Sequence, residues 1–208
     1  MRLEDVAVRP GTVADADAVA TVLAAAFADD PQFRWVLESL DSPALRLQRL
    51  FRLQVRREIL PAGAVDVASV DGAVAGAALW NRPGQWQPPL LVQLRNLPGY
   101  LRVFGRRLWA AQRALRAIEL AHPAEPHWHL AGIGVDPDLQ GIGVGAVLLR
   151  HRLAVVDDDR LPAYLESSKP RNVAWYEQFG FEVRDQVALP AGCPATTTMW
   201  RPPQTSAR

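Results

Sequence analysis

The sequence contains one cysteine, Cys193, and one lysine, Lys169, among its 208 residues. A single cysteine excludes an internal disulfide and any metal site built from several thiolates. The lone lysine follows no glycine-rich loop, so it does not complete a Walker phosphate-binding motif. The chain also lacks an apolar run close to the ~20 residues that a membrane helix needs. These shortages exclude a disulfide-stabilised miniprotein, a P-loop protein and an integral membrane protein.

The chain has almost no net charge, with 23 basic and 22 acidic residues and a formal charge of +1. Such a balance gives no field that would attract nucleic acid. Acidic residues stand in the first five positions, where a signal peptide has basic and apolar regions, so we expect a cytoplasmic protein. We expect neither nucleic-acid nor membrane partners, and a monomer or a homodimer.

The length predicts one domain over residues 1–208. In its first half we predict a strand at 3–8, a helix ending at Phe27 after a capping box that starts at Thr12, and a helix at 43–58. Asp71-Gly72 joins two apolar runs, 64–70 and 73–80, and is typical of a type I′ hairpin turn. Residues 90–120 predict a helical insertion of two helices, interrupted at Pro98-Gly99.

In the second half the pattern predicts strands and helices in alternation, followed by two strands and a frayed tail. The predicted strands are 128–135, 163–167, 181–189 and 196–201, the helices are 143–156 and 172–179, and the tail is 202–208. The element order is therefore β-α-α-β-β-(αα)-β-α-β-α-β-β. It indicates an α/β protein with a mixed sheet and helices packed on it.

The stretch from Ile133 to Ala146 combines a strand, a short polar link and three alternating glycines, Gly141, Gly143 and Gly145, at the start of a helix. Glycines allow close approach to the backbone. The free N–H groups at a helix start, together with the helix dipole, bind phosphate groups. We therefore predict that this loop holds a phosphorylated ligand. The alternative is that the glycines serve only tight turns.

The same glycines also satisfy the spacing of a dinucleotide-binding fingerprint, with Ala146 as its last position and Glu166 about twenty residues downstream. In that fold the glycines follow the strand directly, whereas five residues including Pro137 intervene here. Only 62 residues follow Ala146, which is too few for a doubly wound fold. The sequence therefore disfavours NAD as the ligand.

With Gln140 as the first position, the loop reads Gln-x-x-Gly-x-Gly and resembles the acyl-CoA pyrophosphate loop of the GNAT acetyltransferases. The stretch 164–181 is similar to a second signature of that family, Leu-Glu-x-Ser, then Asn, then Tyr-Glu-x-x-Gly-Phe. The likeness runs from about Val8 to Arg201. It implies the GNAT fold and an N-acetyltransferase that uses acetyl-CoA as cosubstrate and needs no metal.

The resemblance also implies which residues bind the coenzyme. Asn172 would reach the pantetheine arm, and Tyr176 would meet the sulfur one helical turn later. The strand around Gly134 and Val135 would hold the carbonyl oxygen of the thioester through its N–H groups. The implied coenzyme-binding residues are Ile133, Gly134, Val135, Gln140, Gly141, Ile142, Gly143, Val144, Gly145, Ala146, Ser168, Asn172 and Tyr176.

Tyr176 is the candidate catalytic acid. Negative charge grows on the departing sulfur when an amine attacks a thioester, so a neutral hydroxyl nearby can donate a proton. A tyrosine qualifies because its ordinary pKa is near 10. The alternative is that Tyr176 belongs to an aromatic core stripe with Phe179 and Phe181, and Asn172 has the alternative role of a plain N-cap.

His129 is the candidate general base that deprotonates the amine. It lies eleven residues before Gln140, at the strand position where some GNAT enzymes carry a glutamate base, and histidine suits proton transfer near neutral pH. The other candidates are His127, Glu38 and Glu119. Cys193 has no neighbouring basic residue that would activate its thiol, which favours direct transfer over a two-step route.

Several segments, among them 25–31, 125–130 and 166–172, are similar to the puromycin N-acetyltransferase branch of the family. This likeness implies transfer to a primary amine of a small molecule, such as an antibiotic or aminonucleoside. Two other functions stay open. One is acetylation of protein amino groups, and the other is a non-catalytic acyl-CoA-binding regulatory module.

Overall fold

The computed structural model describes residues 6–190 and 192–204. Its centre is a seven-stranded mixed sheet with the strand order β1-β2-β3-β4-β5-β7-β6. The strands are β1 (Ala7–Pro10), β2 (Ala64–Val70), β3 (Ala73–Asn81), β4 (Trp128–Val135), β5 (Ala163–Ser167), β6 (Glu182–Val187) and β7 (Thr196–Arg201). The β4–β5 pair is parallel and every other pair is antiparallel. The predicted mixed sheet is confirmed.

Eight α-helices accompany the sheet within the described residues. They are α1 (Ala16–Ala26), α2 (Pro31–Leu37), α3 (Pro43–Gln54), α4 (Leu60–Ala62), α5 (Leu90–Phe104), α6 (Leu108–Ala121), α7 (Val144–Asp158) and α8 (Val173–Glu177). A π-helical turn at Val55–Ile59 connects α3 to α4. None of the described helices combines the length and the apolar character that crossing a membrane would take.

The core consists of two apolar layers, one on each face of the sheet. On one face α1, α3 and α5 cover β2 and β3, and the side of α1 that points inward is fully buried at Ala16, Val19, Ala20 and Leu23. This spacing of three and four residues is the apolar stripe of an amphipathic helix. On the other face α7 and α8 pack on β3, β4 and β5. Burial of each leucine contributes about 1.5–3 kcal/mol.

Gly134 in β4 sets how closely α1 approaches the sheet. A Cβ atom at this position would lie 2.8 Å from the Cβ of Ala26 and 2.9 Å from a methyl group of Leu23. Such contacts are too short, so a larger residue would push α1 away from β4. The glycine therefore fixes the spacing between α1 and the strand that carries the predicted carbonyl-binding N–H groups.

The sequence predicts the hairpin and most strand limits correctly. Asp71 and Gly72 have φ angles of 49° and 80°, which is the left-handed pair of a type I′ turn. The capping box at Thr12 is present, with Asp15 accepting a bond from the Thr12 N–H at 2.8 Å. The first three residues of the predicted opening strand, 3–5, and the last four of the predicted tail, 205–208, lie outside the described part of the chain.

Three helix predictions are wrong in detail. The insertion does not break at Pro98-Gly99, because α5 continues through Pro98 and ends at Gly105, whose φ is 49°. The helix predicted to reach residue 58 leaves α geometry after Gln54. We predict no helix between Phe27 and residue 43, whereas the structure has α2 there. In the structure Asp30 caps α2 by accepting bonds from the N–H groups of residues 32 and 33.

A buried ion pair connects β2 to α7. The carboxylate of Asp66, which has no exposed surface, accepts hydrogen bonds from Arg152 Nε at 2.9 Å and from its Nη2 at 2.5 Å. The guanidinium of Arg152 also lies 5.4 Å from the centre of the Trp128 ring. The position of α7 on the sheet therefore depends partly on this pair.

Replacing Asp66 with alanine should lower the free energy of unfolding by about 3–5 kcal/mol, because it leaves the Arg152 cation buried without a partner. The matched control is Asp17→Ala, since Asp17 is 53% exposed and pairs with Arg52 and Arg56 at the surface. This control should cost less than about 1 kcal/mol. Urea denaturation measures both values, and equal losses would contradict the special role of the buried pair.

Candidate functional site

A cleft opens between β4 and β5 in the middle of the sheet. The two strands pair only over 128–130 and 163–165, although β4 continues to Val135. In addition, Leu79 pairs with Gly132 while Trp80 pairs with Leu130, so Ala131 forms a bulge in β4. Beyond Leu130 the edge of β4 that faces β5 therefore offers main-chain groups without a strand partner. Such groups bind water or a ligand.

The predicted phosphate loop follows β4 at one end of this cleft. Gln140 is fixed to the strand, because its side-chain amide donates to the Val135 carbonyl at 3.1 Å. Gly141 and Gly143 have φ angles of 79° and 98°, a left-handed conformation that favours glycine. A Cβ at Gly141 would meet nothing within 4 Å, so this glycine serves the backbone angle rather than a tight contact.

The helix α7 begins directly after the loop. Its first internal bond runs from the N–H of Val147 to the Gly143 carbonyl at 3.1 Å. The N–H groups of Val144, Gly145 and Ala146 are therefore not used inside the helix. Free N–H groups at the positive end of a helix dipole form an anion-binding site. The structure thus places the predicted loop directly before a helix start whose N–H groups are available to an anion.

Tyr176 and Asn172 lie on the far side of the cleft, at α8. Tyr176 is 7% exposed and packs edge-on against Trp175 and Phe181, with ring centres 4.9 and 6.0 Å away. Burial raises the pKa of its phenol above the ordinary value, so the hydroxyl is protonated at neutral pH. Asn172 occupies the N-cap position of α8 without forming a side-chain cap bond, which leaves its amide free.

Ser168 is engaged by the protein itself. Its hydroxyl donates to the carboxylate of Asp30, the buried residue that caps α2. Next to it, Lys169 and Arg171 both pair with Asp29, the latter at 2.6 Å. These contacts join the end of α1, which packs on β4, to the segment after β5. They therefore hold together the two sides of the cleft.

His129 lies at the other end of the cleft, within a cluster of polar rings. Its Nε2 is 2.7 Å from Glu166 Oε2, and its Nδ1 is 3.1 Å from the side-chain nitrogen of Asn81. His122 stacks on Trp86 at 3.8 Å and lies 3.4 Å from the second oxygen of Glu166. Both ring nitrogens of His129 therefore have partners, and any proton it accepts enters a network.

Charges in this cluster are set by burial and by the carboxylate. Burial lowers the pKa of His127 to about 4 and also lowers that of His122, so both rings are neutral at pH 7. Burial disfavours ionisation of Glu166, but the contacts with His129 and His122 outweigh it and bring the pKa of this carboxyl to about 2. Glu166 is therefore an anion surrounded by imidazoles.

The remaining candidate bases have different surroundings. His127 belongs to the cluster, since its Nε2 lies 3.0 Å from the Nε2 of His122. Glu38 pairs with Arg34 at the end of α2, and Glu119 pairs with Arg116 on α6. The structure thus brings His127 and His129 together and leaves Glu38 in an exposed ion pair, whereas Glu119 is partly buried and close enough to His122 for its charge to raise the pKa of that ring.

Sequence reasoning missed four residues of the site: His122, Asn81, Glu166 as a partner of His129, and Asp30. A signal for Glu166 was present, because Tyr164 and Glu166 alternate with apolar residues in β5 and therefore share one face. His127 and His129 alternate in the same way. His122 and Asn81 carry no comparable signal, since they stand at the ends of their elements.

Comparison with known proteins decides the family. Residues 27–181 match the model of the Acetyltransferase (GNAT) family. A structure from Corynebacterium glutamicum, described as histone acetyltransferase HPA2 and related acetyltransferase, is 30% identical and has a TM-score of 0.76, covering 98% of this chain and 99% of that one. The chain belongs to the GNAT acetyltransferase family.

Other relatives agree with this membership. An uncharacterised N-acetyltransferase of Schizosaccharomyces pombe is 28% identical over 181 residues, which is 82% of this chain and 72% of the relative. The polyamine N-acetyltransferase of Drosophila melanogaster shares the fold at 15% identity and a TM-score of 0.60, with 94% of this chain and 99% of that one covered. The protein is therefore an acyl-CoA-dependent N-acetyltransferase, and acetyl-CoA is the cosubstrate of GNAT enzymes in general.

Proposed function

We propose that this GNAT enzyme transfers an acetyl group from acetyl-CoA directly to the primary amine of a small molecule. The observation that carries the proposal is the arrangement along β4. A free helix N-terminus lies beyond the carboxyl end of the strand, and an anionic carboxylate with its imidazoles lies at the amino end. The helix N-terminus suits a diphosphate, and the carboxylate with its imidazoles suits a cationic amine.

The coenzyme would lie along the cleft. The N–H groups of residues 142–146 would bind its diphosphate, and the unpaired edge of Ile133–Val135 would bind the amides of the pantetheine arm as a neighbouring strand does. Asn172, whose amide is free, would meet the same arm. Ser168 would border the coenzyme rather than bond to it, because its hydroxyl is committed to Asp30.

The transfer needs a proton donor for sulfur and an acceptor for the amine proton. As the amine nitrogen bonds to the carbonyl carbon and the C–S bond breaks, the Tyr176 hydroxyl would protonate the thiolate. His129 would take the proton of the amine, and the resulting imidazolium would be stabilised by Glu166 at 2.7 Å. Correct placement of both reactants would supply much of the rate.

Aromatic rings cover the acceptor end of the cleft, which supports a small substrate. Trp86, from the loop between β3 and α5, stacks on His122 and covers the cluster beside His129. Enclosed sites suit small molecules, whereas open grooves suit peptides. The segments similar to puromycin N-acetyltransferases support an antibiotic or aminonucleoside amine as the acceptor. Because the coenzyme is an intracellular metabolite, we also propose a cytoplasmic location.

A second candidate is transfer to protein amino groups. It is favoured by the Corynebacterium glutamicum relative, which is described as a histone acetyltransferase and related acetyltransferase. Both candidates share the coenzyme and the chemistry, so they differ only in the acceptor.

The purified protein should release CoA from acetyl-CoA only when a suitable amine is present. A panel of aminonucleosides, aminoglycosides, polyamines and lysine-containing peptides, with free thiol as the readout, tests the acceptor class. Turnover with peptides alone would contradict a small-molecule acceptor. Coenzyme binding without turnover on the whole panel would contradict the proposed amine transfer.

Control variants connect this assay to the glycine loop. Gly141 and Gly72 have nearly equal φ angles, 79° and 80°, and both stand in open space. Gly141→Asp and Gly72→Asp therefore impose similar backbone strain. Only Gly141→Asp places a carboxylate beside the proposed diphosphate. Only this variant should therefore lose coenzyme binding, as measured by calorimetric titration.

Replacing Tyr176 with phenylalanine should lower kcat by roughly 10²-fold or more, with a much smaller change in the KM for acetyl-CoA, because it removes only the proton donor. Tyr100→Phe is the matched control, since that hydroxyl is bonded to Glu58 on another helix. Steady-state kinetics with varied acetyl-CoA measures both. Equal effects on kcat and KM would instead indicate that Tyr176 positions the coenzyme.

Replacing His129 with glutamine should lower kcat by roughly 10²-fold and remove the acidic limb of the pH–rate profile. The wild-type rate should fall as the pH is lowered, because a protonated base cannot accept the amine proton. His151→Gln is the control, since His151 is 39% exposed on α7. An unchanged profile in His129→Gln would assign the proton transfer to water or to Glu166.

A further inference from the structure

Three side chains beside the acceptor end of the cleft direct nitrogen and oxygen atoms toward a common point. Ligand atoms of His122, His129 and Glu166 all lie within 4.8 Å of one another. The side chain of His122 is 1% exposed, whereas those of His129 and Glu166 are 12% and 14% exposed. The cluster is therefore poor in water but open to an ion that enters along the cleft.

The hydrogen-bond chain behind the cluster fixes the tautomer of His122. His127 Nδ1 lies 2.6 Å from the main-chain oxygen of Glu125, and since a carbonyl only accepts, this nitrogen carries the hydrogen. The Nε2 of the neutral ring is then an acceptor. The Nε2 of His122, 3.0 Å away, must therefore carry a hydrogen and donate it to His127.

A neutral His122 with hydrogen on Nε2 has its lone pair on Nδ1. In this tautomer Nδ1, which lies 3.4 Å from Glu166 Oε1, meets the carboxylate oxygen as a second acceptor. Two acceptors in this position repel each other, and a cation between them would turn the repulsion into attraction. His122 and Glu166 thus provide two of the three ligands of a cation site.

His129 provides the third ligand, and its partner Asn81 sets which ring nitrogen of His129 carries the hydrogen. The nitrogen and oxygen of the Asn81 amide exchange places when the amide turns over. Its oxygen would then accept a hydrogen from His129 Nδ1, now 3.1 Å from the amide, and His129 Nε2 would have its lone pair toward Glu166. Both imidazoles would then donate their second N–H to an outer partner, as metal-bound histidines commonly do.

We propose that His122, His129 and Glu166 bind a transition-metal dication of the Zn²⁺ type, and that the bound ion inhibits acetyl transfer. Two imidazoles and one carboxylate form a known ligand set for zinc with one coordination position left open. Zinc at about 2.0 Å from each ligand needs ligand atoms about 3.3 Å apart. The His122–Glu166 separation of 3.4 Å already meets this value, and the 2.7 Å bond between His129 and Glu166 has to lengthen.

The inhibition rests on the proposed function, because a His129 that binds the ion through Nε2 and donates Nδ1–H to Asn81 has no lone pair left for the amine proton. The site itself does not rest on it. The ion is an inhibitor and not a cofactor, so the proposal is compatible with a family reaction that needs no metal. Mg²⁺ and Ca²⁺ prefer oxygen ligands and should not bind.

Calorimetric titration of the protein with Zn²⁺, without coenzyme, tests the site directly. We expect saturable one-to-one binding that Mg²⁺ does not reproduce. Co²⁺ in place of Zn²⁺ should give the visible absorption of a four-coordinate ion. Failure to bind Zn²⁺ saturably would overturn the proposal while leaving the proposed enzymatic function untouched.

Three histidine variants locate the ion. His122→Gln should abolish one-to-one binding, and His127→Gln should weaken it roughly 10–100-fold, because His127 only orients the ligand ring. His151→Gln, which alters the one histidine outside the cluster, should leave binding unchanged. Circular dichroism would establish that each variant is folded. Zn²⁺ binding that persists fully in His122→Gln, or an unaffected His127→Gln, would contradict the proposed ligand set.

Activity assays separate the two proposals. Zn²⁺ should inhibit the wild-type protein, and removal of the ion by a chelator should restore the rate. Binding that leaves turnover unchanged would overturn the inhibitory role and, with it, the assignment of His129 as the base.

Discussion

The early separation of β4 from β5 is the constraint on which the site depends. Two parallel neighbours in a sheet normally continue their hydrogen bonds, but here the pairing stops at Leu130 and Leu165 while β4 extends five residues further. The main-chain groups left unpaired need water or a ligand as their hydrogen-bond partner. The contacts of Asp29 and Asp30 with the segment after β5 keep the gap at a fixed width.

Local chemistry made much of this fold predictable from the sequence. The Asp71-Gly72 turn, the alternation in β4 and the glycines before α7 each act within a few residues. The errors arose where tertiary contacts decide. Pro98 lies within α5, where it leaves the carbonyl of the 56% exposed Leu94 without its intrahelical partner. Asp30-Pro31 has the same pattern as Ser42-Pro43, a polar residue before a proline, which is typical of a helix start. Only the structure shows that Asp30 caps α2.

The coenzyme side of the site was more predictable than the acceptor side. Loop 140–146 and α8 are continuous segments, so a motif describes them completely. The acceptor cluster instead combines Asn81, His122, His129 and Glu166, which lie up to 85 residues apart. Nothing in one segment indicates the others, and the role of each ring depends on which hydrogen its neighbour carries. Sequence reasoning therefore proposes His129 as a candidate but does not indicate the hydrogen-bond network around it.

The two groups proposed to transfer protons lie on opposite faces of the sheet. Tyr176 belongs to the apolar layer with α7, whereas His129 points to the other face, because it alternates with Trp128 and Leu130 of that layer. Only an opening through the sheet allows both to approach one thioester. This separation also keeps the buried phenol of Tyr176 away from the Glu166 carboxylate. The phenol therefore does not hydrogen-bond to that anion. The gap between β4 and β5 would thus allow the proposed reaction to use an acid in an apolar layer and a neutral base beside a carboxylate.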